Sequence, residues 1–268
     1  MIFFEAIADL LSLDFIGFVD SLNQTFILVT WFYFLFFCLL IILILLKLFG
    51  EIGMYIYTVI AIIAANIQVL KIVEFPFFNS PIALGTILFS STFLTTDILS
   101  EYYGIKFARK NIIIGFVGFL IMTIFMLFTI GFPPLSEIVA GDEYIWAMST
   151  QDNLLSIFLP FPTFFAASMI AYLFSQYFDV WFYYKISIIT KKKFLWLRNN
   201  ISTMTSALLD NFIFSLFAWI ILNPNPLDFN TVLFTFILGT YILRIIIAIL
   251  DTPFIYLAKY FLPNKIND

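Results

Sequence analysis

The 268-residue chain contains no histidine. Zinc sites built on imidazole and Ser-His-Asp chemistry are therefore excluded. Its single cysteine, Cys38, lies inside an apolar run, so no intramolecular disulfide forms. The glycine-rich loop of P-loop ATPases, closed by Gly-Lys-Ser or Gly-Lys-Thr, is missing. Charge is scarce as well. Only 11% of the residues are Asp, Glu, Lys or Arg, against about 25% in soluble domains. That scarcity, set beside the apolar content, excludes soluble enzymes and disordered chains alike.

Apolar side chains fill the space. They make up 63% of the chain, and mean hydropathy is +1.05. Such a chain has lipid as its solvent. A spanning helix needs about 20 apolar residues, which leaves room for roughly six to eight spans and no large soluble domain. Seven segments reach that length: residues 26–46, 53–70, 81–99, 112–130, 157–183, 201–222 and 231–256. The expected fold is an all-α integral membrane protein, a helical bundle of seven spans. Residues 1–20 hold apolar runs broken by Glu5, Asp9, Asp14 and Asp20 and lack the basic start of a signal peptide. They read as an interfacial helix rather than an eighth span.

Lys and Arg set the expected orientation. Eleven of them, from Lys47 through the Lys191–Lys193 run to Lys265, fall on one side of the predicted spans, and Lys71 alone falls on the other. The Lys71 side also carries the acidic residues of the N-terminus and Glu137, Asp142, Glu143 and Asp152. This predicts an extracytoplasmic N-terminus, a cytoplasmic C-terminus and an odd number of spans.

Polar residues inside the spans are the candidates for function, because a charge at the bilayer centre costs at least about 2.5–3.5 kcal/mol on insertion scales. Asn199, Thr203, Ser206 and Asp210 follow each other at helical spacing and make one stripe on the sixth span. Thr240, Arg244 and Asp251 do so on the seventh. Arginine stays charged, so Arg244 requires an anionic partner, with Asp210 and Asp251 as the candidates. A structural ion pair and a cavity-lining pair both satisfy that requirement. Thr86, Ser90, Asp97 and Glu101 mark the third span; the last two approach the cytoplasmic end, where snorkelling or pairing with Arg109 is open to them. Ser168, Tyr172, Ser175 and Asp179, with Gln176 beside them, mark the fifth. Asn66 and Gln68 lie toward the outer end of the second. Donors and acceptors dispersed over five helices suit an organic substrate better than an ion pore, which wants repeated like charges or carbonyl rings.

Four stretches then stand out in order. They are Ala65-Asn66-Ile67-Gln68-Val69-Leu70-Lys71; Thr95-Thr96-Asp97-Ile98-Leu99-Ser100-Glu101-Tyr102-Tyr103-Gly104 with Ala108-Arg109-Lys110; Trp196-Leu197-Arg198-Asn199-Asn200-Ile201-Ser202-Thr203-Met204, running to Leu209-Asp210; and Leu250-Asp251-Thr252-Pro253-Phe254. Together they closely resemble the queuosine precursor transporter family, small bacterial membrane proteins related to vitamin uptake transporters. The resemblance implies a six-helix transporter core at residues 53–260. An added N-terminal span would lie at 26–52, an extracytoplasmic segment at 1–25 and a cytoplasmic tail at 261–268. Two departures are visible: Thr163 follows Pro162 where the family carries Arg, and Arg244 stands where it carries Lys.

The implied substrate is a 7-deazaguanine base (preQ0, preQ1 or queuine) imported across the bacterial inner or plasma membrane for tRNA modification. No cofactor, metal or direct nucleic-acid contact is implied, and a homo-oligomer is left open. Such a base presents N1–H and 2-amino donors, an O6 acceptor and flat faces. Asp97, Glu101, Asp210 and Asp251 are then the acceptors. Asn66, Gln68, Gln176, Asn199 and Arg244 are the donors, and Phe93, Tyr172 and Trp196 the stacking partners. The rival reading is a substrate-binding subunit of a partner-dependent vitamin or nucleobase uptake complex. A membrane enzyme is disfavoured by the missing His and metal-ligand clusters.

Overall fold

The computed structural model describes residues 2–76, 78, 81–158 and 161–263, with the backbone alone at 2–4, 137, 140 and 161–163. The tail at 264–268, with Lys265, lies outside the described residues, as do the side chains of Glu137 and Thr163.

The chain opens with two ten-residue helices, α1 (Ile2–Leu11) and α2 (Phe15–Gln24). Each is about 15 Å long, half the thickness of a hydrocarbon core. The acids that broke the apolar pattern tie the pair together. Asp14 caps α2 by accepting from the Gly17 amide at 2.9 Å, and Ser21 donates to Asp9 at 3.0 Å. Then come α3 (Ile27–Phe49), α4 (Glu51–Gln68), α5 (Thr86–Ile98) and α6 (Ile105–Gly131). They are followed by α7 (Glu137–Ala140), α8 (Ile145–Phe158) and α9 (Phe161–Ile189). The last are α10 (Leu195–Leu216), α11 (Phe229–Thr231) and α12 (Gly239–Phe261).

Among the described residues five helices are long and apolar enough to cross a membrane: Ile27–Phe49, Glu51–Gln68, Ile105–Gly131, Leu195–Ile221 and Phe229–Phe261. Large apolar side chains cover their outer faces, as Phe37 and Leu40 do on α3 and Phe125 and Phe128 on α6. An apolar surface of that extent requires lipid. The fold is the expected all-α membrane bundle.

Boundaries shift where local hydrogen bonding intervenes. The third predicted span begins at Thr86, not at residue 81, because the preceding residues close a short hairpin. Its strands β1 (Ile72–Val73) and β2 (Ile82–Ala83) pair antiparallel, Ile72 with Ala83 and Val73 with Ile82. Gly85, at φ +102°, then turns into α5. A Cβ there would come 2.8 Å from the Ala65 carbonyl oxygen, so glycine is needed for both conformation and space. The fifth predicted span, 157–183, takes in the end of α8 at Phe158 and then residues 159–160, which lie outside the described residues; α9 begins at Phe161 and runs on to Ile189.

Helix α5 is polar yet buried on nearly every side. Its hydroxyls make that tolerable. Ser91, Thr92, Thr95 and Thr96 donate back to carbonyls three or four residues earlier. Asn111 of α6 then knots α4 to α5, donating to Thr58 at 2.9 Å and Thr95 at 3.3 Å. Three helices contain π-helical turns: Leu99–Tyr103 after α5, Phe217–Ile221 after α10, and Val232–Leu238 before α12. Such turns swing side chains off the regular helical stripe and concentrate at functional sites.

Candidate functional site

The helical stripes read from the sequence meet along α5, α9, α10 and α12 and stack as three polar layers. Arg198 and Asp210 are twelve residues apart on α10, so the layers span about 18 Å along the bundle.

The Asp210 layer surrounds a cavity of about 60 Å³ whose wall includes Phe89, Asp210, Asn211, Trp219, Phe236 and Arg244. Arg244 Nη1 lies 2.6 Å from Asp210 Oδ2, and Ser175 donates to Asp210 Oδ1 at 2.9 Å. The expected partnership is therefore present, with Asp210 rather than Asp251. The Arg244 guanidinium sits 6.0 Å from the centre of the Phe89 ring. Trp219 stacks on Phe236 with ring centres 4.5 Å apart. Both aromatic residues come from π-helical turns. Asn211 donates to the Ile237 carbonyl at 3.1 Å and to Thr240 at 2.8 Å, holding α10 to the last span. Two buried donors have no partner, Trp219 Nε1 and Arg244 Nε. Aromatic walls, an ion pair and unused N–H groups together suit a flat ligand that carries acceptors and donors on its edge.

The middle layer holds Asp97, Asp179 and Asp251. Thr203 donates to Asp97 at 3.2 Å, Ser206 to Asp179 at 3.0 Å, and Asn199 to Asp251 at 3.1 Å. Gln176 bridges toward the cavity layer, donating to Thr92 at 2.9 Å and accepting from Thr96 at 3.1 Å.

The third layer is built on Arg198. Its Nη2 reaches Glu101 Oε1 at 2.5 Å and its Nε reaches Glu101 Oε2 at 3.2 Å. Tyr183 donates to the same carboxylate at 2.7 Å. Arg198 Nη1 also donates to the carbonyls of Lys192 and Lys193, at 3.1 and 3.2 Å. These bonds pin a loop whose Lys191, Lys192 and Phe194 all have positive φ, a costly conformation for such residues. Glu101 thus faces Arg198 and not Arg109.

Other candidates lie apart. Asn66 donates to its own helix, to the Ile62 carbonyl at 2.9 Å. Gln68 lines a separate groove with Trp31 and Lys71, against α2 and the hairpin. Phe93 and Tyr172 are buried in helix packing, and Trp196 is half exposed at the start of α10. None of the three is in the wall of the Asp210 cavity, which uses Phe89, Trp219 and Phe236 instead. The sequence does signal Asn211, as the neighbour of Asp210, but not the π-helical turns that bring Trp219 and Phe236 inward.

A family model described as "Putative vitamin uptake transporter" matches residues 83–258. The chain belongs to that family. The stretch that matches the vitamin uptake transporter family runs from β2 to α12 and contains all three layers, while Asn66 and Gln68 fall before it. A protein of Bacillus subtilis (strain 168) named "Probable queuosine precursor transporter" is 33% identical over 235 residues, covering 87% of this chain and 95% of the relative. No solved structure matches the chain significantly. Membership in the vitamin uptake transporter family and the lipid-requiring surface together make this a multi-pass membrane protein of a transporter family, not of an enzyme family.

Proposed function

We propose that this protein imports 7-deazaguanine queuosine precursors across the bacterial inner or plasma membrane. The observation that carries the reading is the match to the Bacillus subtilis relative over nearly all of that protein, 95% of its length. The cavity around Asp210 supports it. The base would lie between Phe89 and the Trp219–Phe236 stack. Its O6 would accept from Arg244 Nε or Trp219 Nε1, and Asp210 would accept from the N1–H and 2-amino edge. At about 60 Å³ the cavity holds a few waters rather than a bicyclic base. In our reading the described conformation is the occluded one, and the helices part on either side of it during alternating access.

The same reading takes α5 with its π-helical turn, and α9, as spans beside the five long apolar helices. The seven-span topology then has its N-terminus outside and its C-terminus in the cytoplasm. Asp97, Gln176, Asn199 and Asp251 line the route below the cavity, and Glu101 closes its cytoplasmic end. Asn66 and Gln68 shape the outer entry.

The test is rescue. A bacterial strain unable to synthesise queuosine and lacking its own importer receives this gene and a low external concentration of preQ0, preQ1 or queuine. Modified tRNA is read by mass. Return of queuosine supports import. Folded protein in the membrane with no rescue by any of the three bases refutes it. Rescue that depends on a co-expressed ATP-driven module would make the chain a partner-dependent subunit instead.

A further inference from the structure

Below the substrate cavity, Asp97, Asp179 and Asp251 come together from α5, α9 and α12, each at most 1% exposed. They meet the same face of α10, where Asn199, Thr203 and Ser206 follow at helical spacing and bind Asp251, Asp97 and Asp179 respectively, which sets the three carboxyl groups on successive turns beside one another. These three donors are all neutral. Among the described residues the two ion pairs are Arg198–Glu101 and Arg244–Asp210, so both buried arginines are committed to other carboxylates.

The unsatisfied atoms say what is missing. Asp97 Oδ1, Asp179 Oδ2 and Asn199 Oδ1 are buried with no donor. Asn199 is uncharged and wholly buried, and its N–H bond to Asp251 keeps its unpaired oxygen beside the trio. All three orphans are acceptors, so the absent partner is a donor or a cation. Two carboxylates held one helical turn apart inside a low-dielectric bundle, with neutral donors, repel strongly unless one carries a proton. Among the described residues no group of three acidic or thiol side chains is disposed to hold a metal ion.

We propose that Asp97 and Asp179, with Asp251 beside them, are the proton site of a proton-coupled importer; this rests on the import reading above. A proton from external water adds to a carboxylate oxygen of the pair and is later released from that oxygen to cytoplasmic water. The layer beneath supplies an exit. Glu101 follows Asp97 by one turn and Tyr183 follows Asp179 by one turn, and the two are joined at 2.7 Å. Glu101 also lines an open cavity of about 710 Å³ with Tyr102, Tyr256 and Lys259. The titratable groups facing the pair are Asp251 from α12, Tyr183 from α9, Glu101 from the turn after α5, and Arg198 from α10, the last held by Glu101.

Full-length protein in proteoliposomes tests this with labelled preQ1 and preQ0. Exchange of base between the two sides tests import itself. Accumulation driven by an inwardly directed pH gradient tests coupling. Infrared absorption of protonated carboxyl groups at neutral pH tests the site without transport. Wild type is expected to accumulate base at least tenfold under the pH gradient, and to show the carboxyl band. Asp179→Asn, checked for monodisperse elution, is expected to lose both, and Asp97→Asn serves should that variant not fold. Wild-type exchange without any response to the pH gradient, accumulation driven by sodium alone, or an unchanged infrared band in a folded variant overturns the proposal. Absence of exchange in wild type refutes import instead, and the infrared band then still decides whether the pair holds a proton.

Discussion

Glu101 and Arg198 stand 97 residues apart in the chain and meet in a two-pronged ion pair, with Nη2 on one carboxylate oxygen and Nε on the other. The same guanidinium holds two carbonyls of the loop that turns α9 into α10. One side chain therefore fixes the end of the third polar layer and the crossing of two helices.

Replacing Arg198 tests that arrangement. Breaking a buried pair by removing one partner costs about 3–5 kcal/mol. Arg198 is 2% exposed and Glu101 24%, which places the expected loss toward the low end of that range. Arg198→Lys keeps the charge but cannot fork across the carboxylate while also bonding two carbonyls. Thermal unfolding in detergent should rank wild type above Arg198→Lys and Arg198→Lys above Arg198→Ala. Equal melting of Arg198→Lys and wild type would show that charge alone suffices.

The Asp210–Arg244 pair gives a different prediction, because it lines the cavity. Asp210→Asn keeps the shape and the bond from Ser175 while removing the charge. Uptake should fall at least tenfold with the protein still folded. Arg244→Lys restores the residue that the family resemblance expects there and should retain uptake, whereas Arg244→Met should not. Asp210→Asn transporting at the wild-type rate would remove that carboxylate from the substrate site.

Trp219 has two separable features, a ring stacked on Phe236 and a free N–H. Trp219→Ala should weaken the apparent affinity for the base by roughly fivefold or more, since a base–aromatic stack is worth about 1–3 kcal/mol. Trp219→Phe keeps a smaller aromatic ring to stack and loses the donor, so its affinity should fall between the two. Titration of purified protein with preQ0, followed by Trp-independent calorimetry, reads both. Trp219→Phe weakening binding as much as Trp219→Ala would show that a phenyl ring at this position contributes no stacking to the base.

Topology is checked at the loop that Arg198 holds. In a Cys38→Ser background, a cysteine placed at Lys192 should resist a membrane-impermeant thiol reagent in intact cells and react after permeabilisation. Cys38 itself is buried in α3 and is a poor target in either case. Labelling at position 192 in intact cells would reverse the orientation.

The sequence alone determined that lipid surrounds this protein, that it folds as an all-α bundle, and which polar residues lie on which stripe. Those features follow from composition and from a period of 3.6 residues, both local properties of the chain. The stripes holding Asp97, Asp179, Asp210, Arg244 and Asp251 are all turned inward, as their spacing requires. Tertiary structure decided the pairing between stripes. Arg244 took Asp210 over Asp251, Glu101 took Arg198 over the nearby Arg109, and Asp97, Asp179 and Asp251 were left with neutral partners on one face of α10. Spacing along one helix does not encode the rotation and depth at which another helix docks, so candidate partners remain equivalent until packing separates them. The same holds for the aromatic wall. Trp219 and Phe236 enter the cavity through π-helical turns, a change of period that packing imposes and that the regular helical pattern of these apolar segments does not announce.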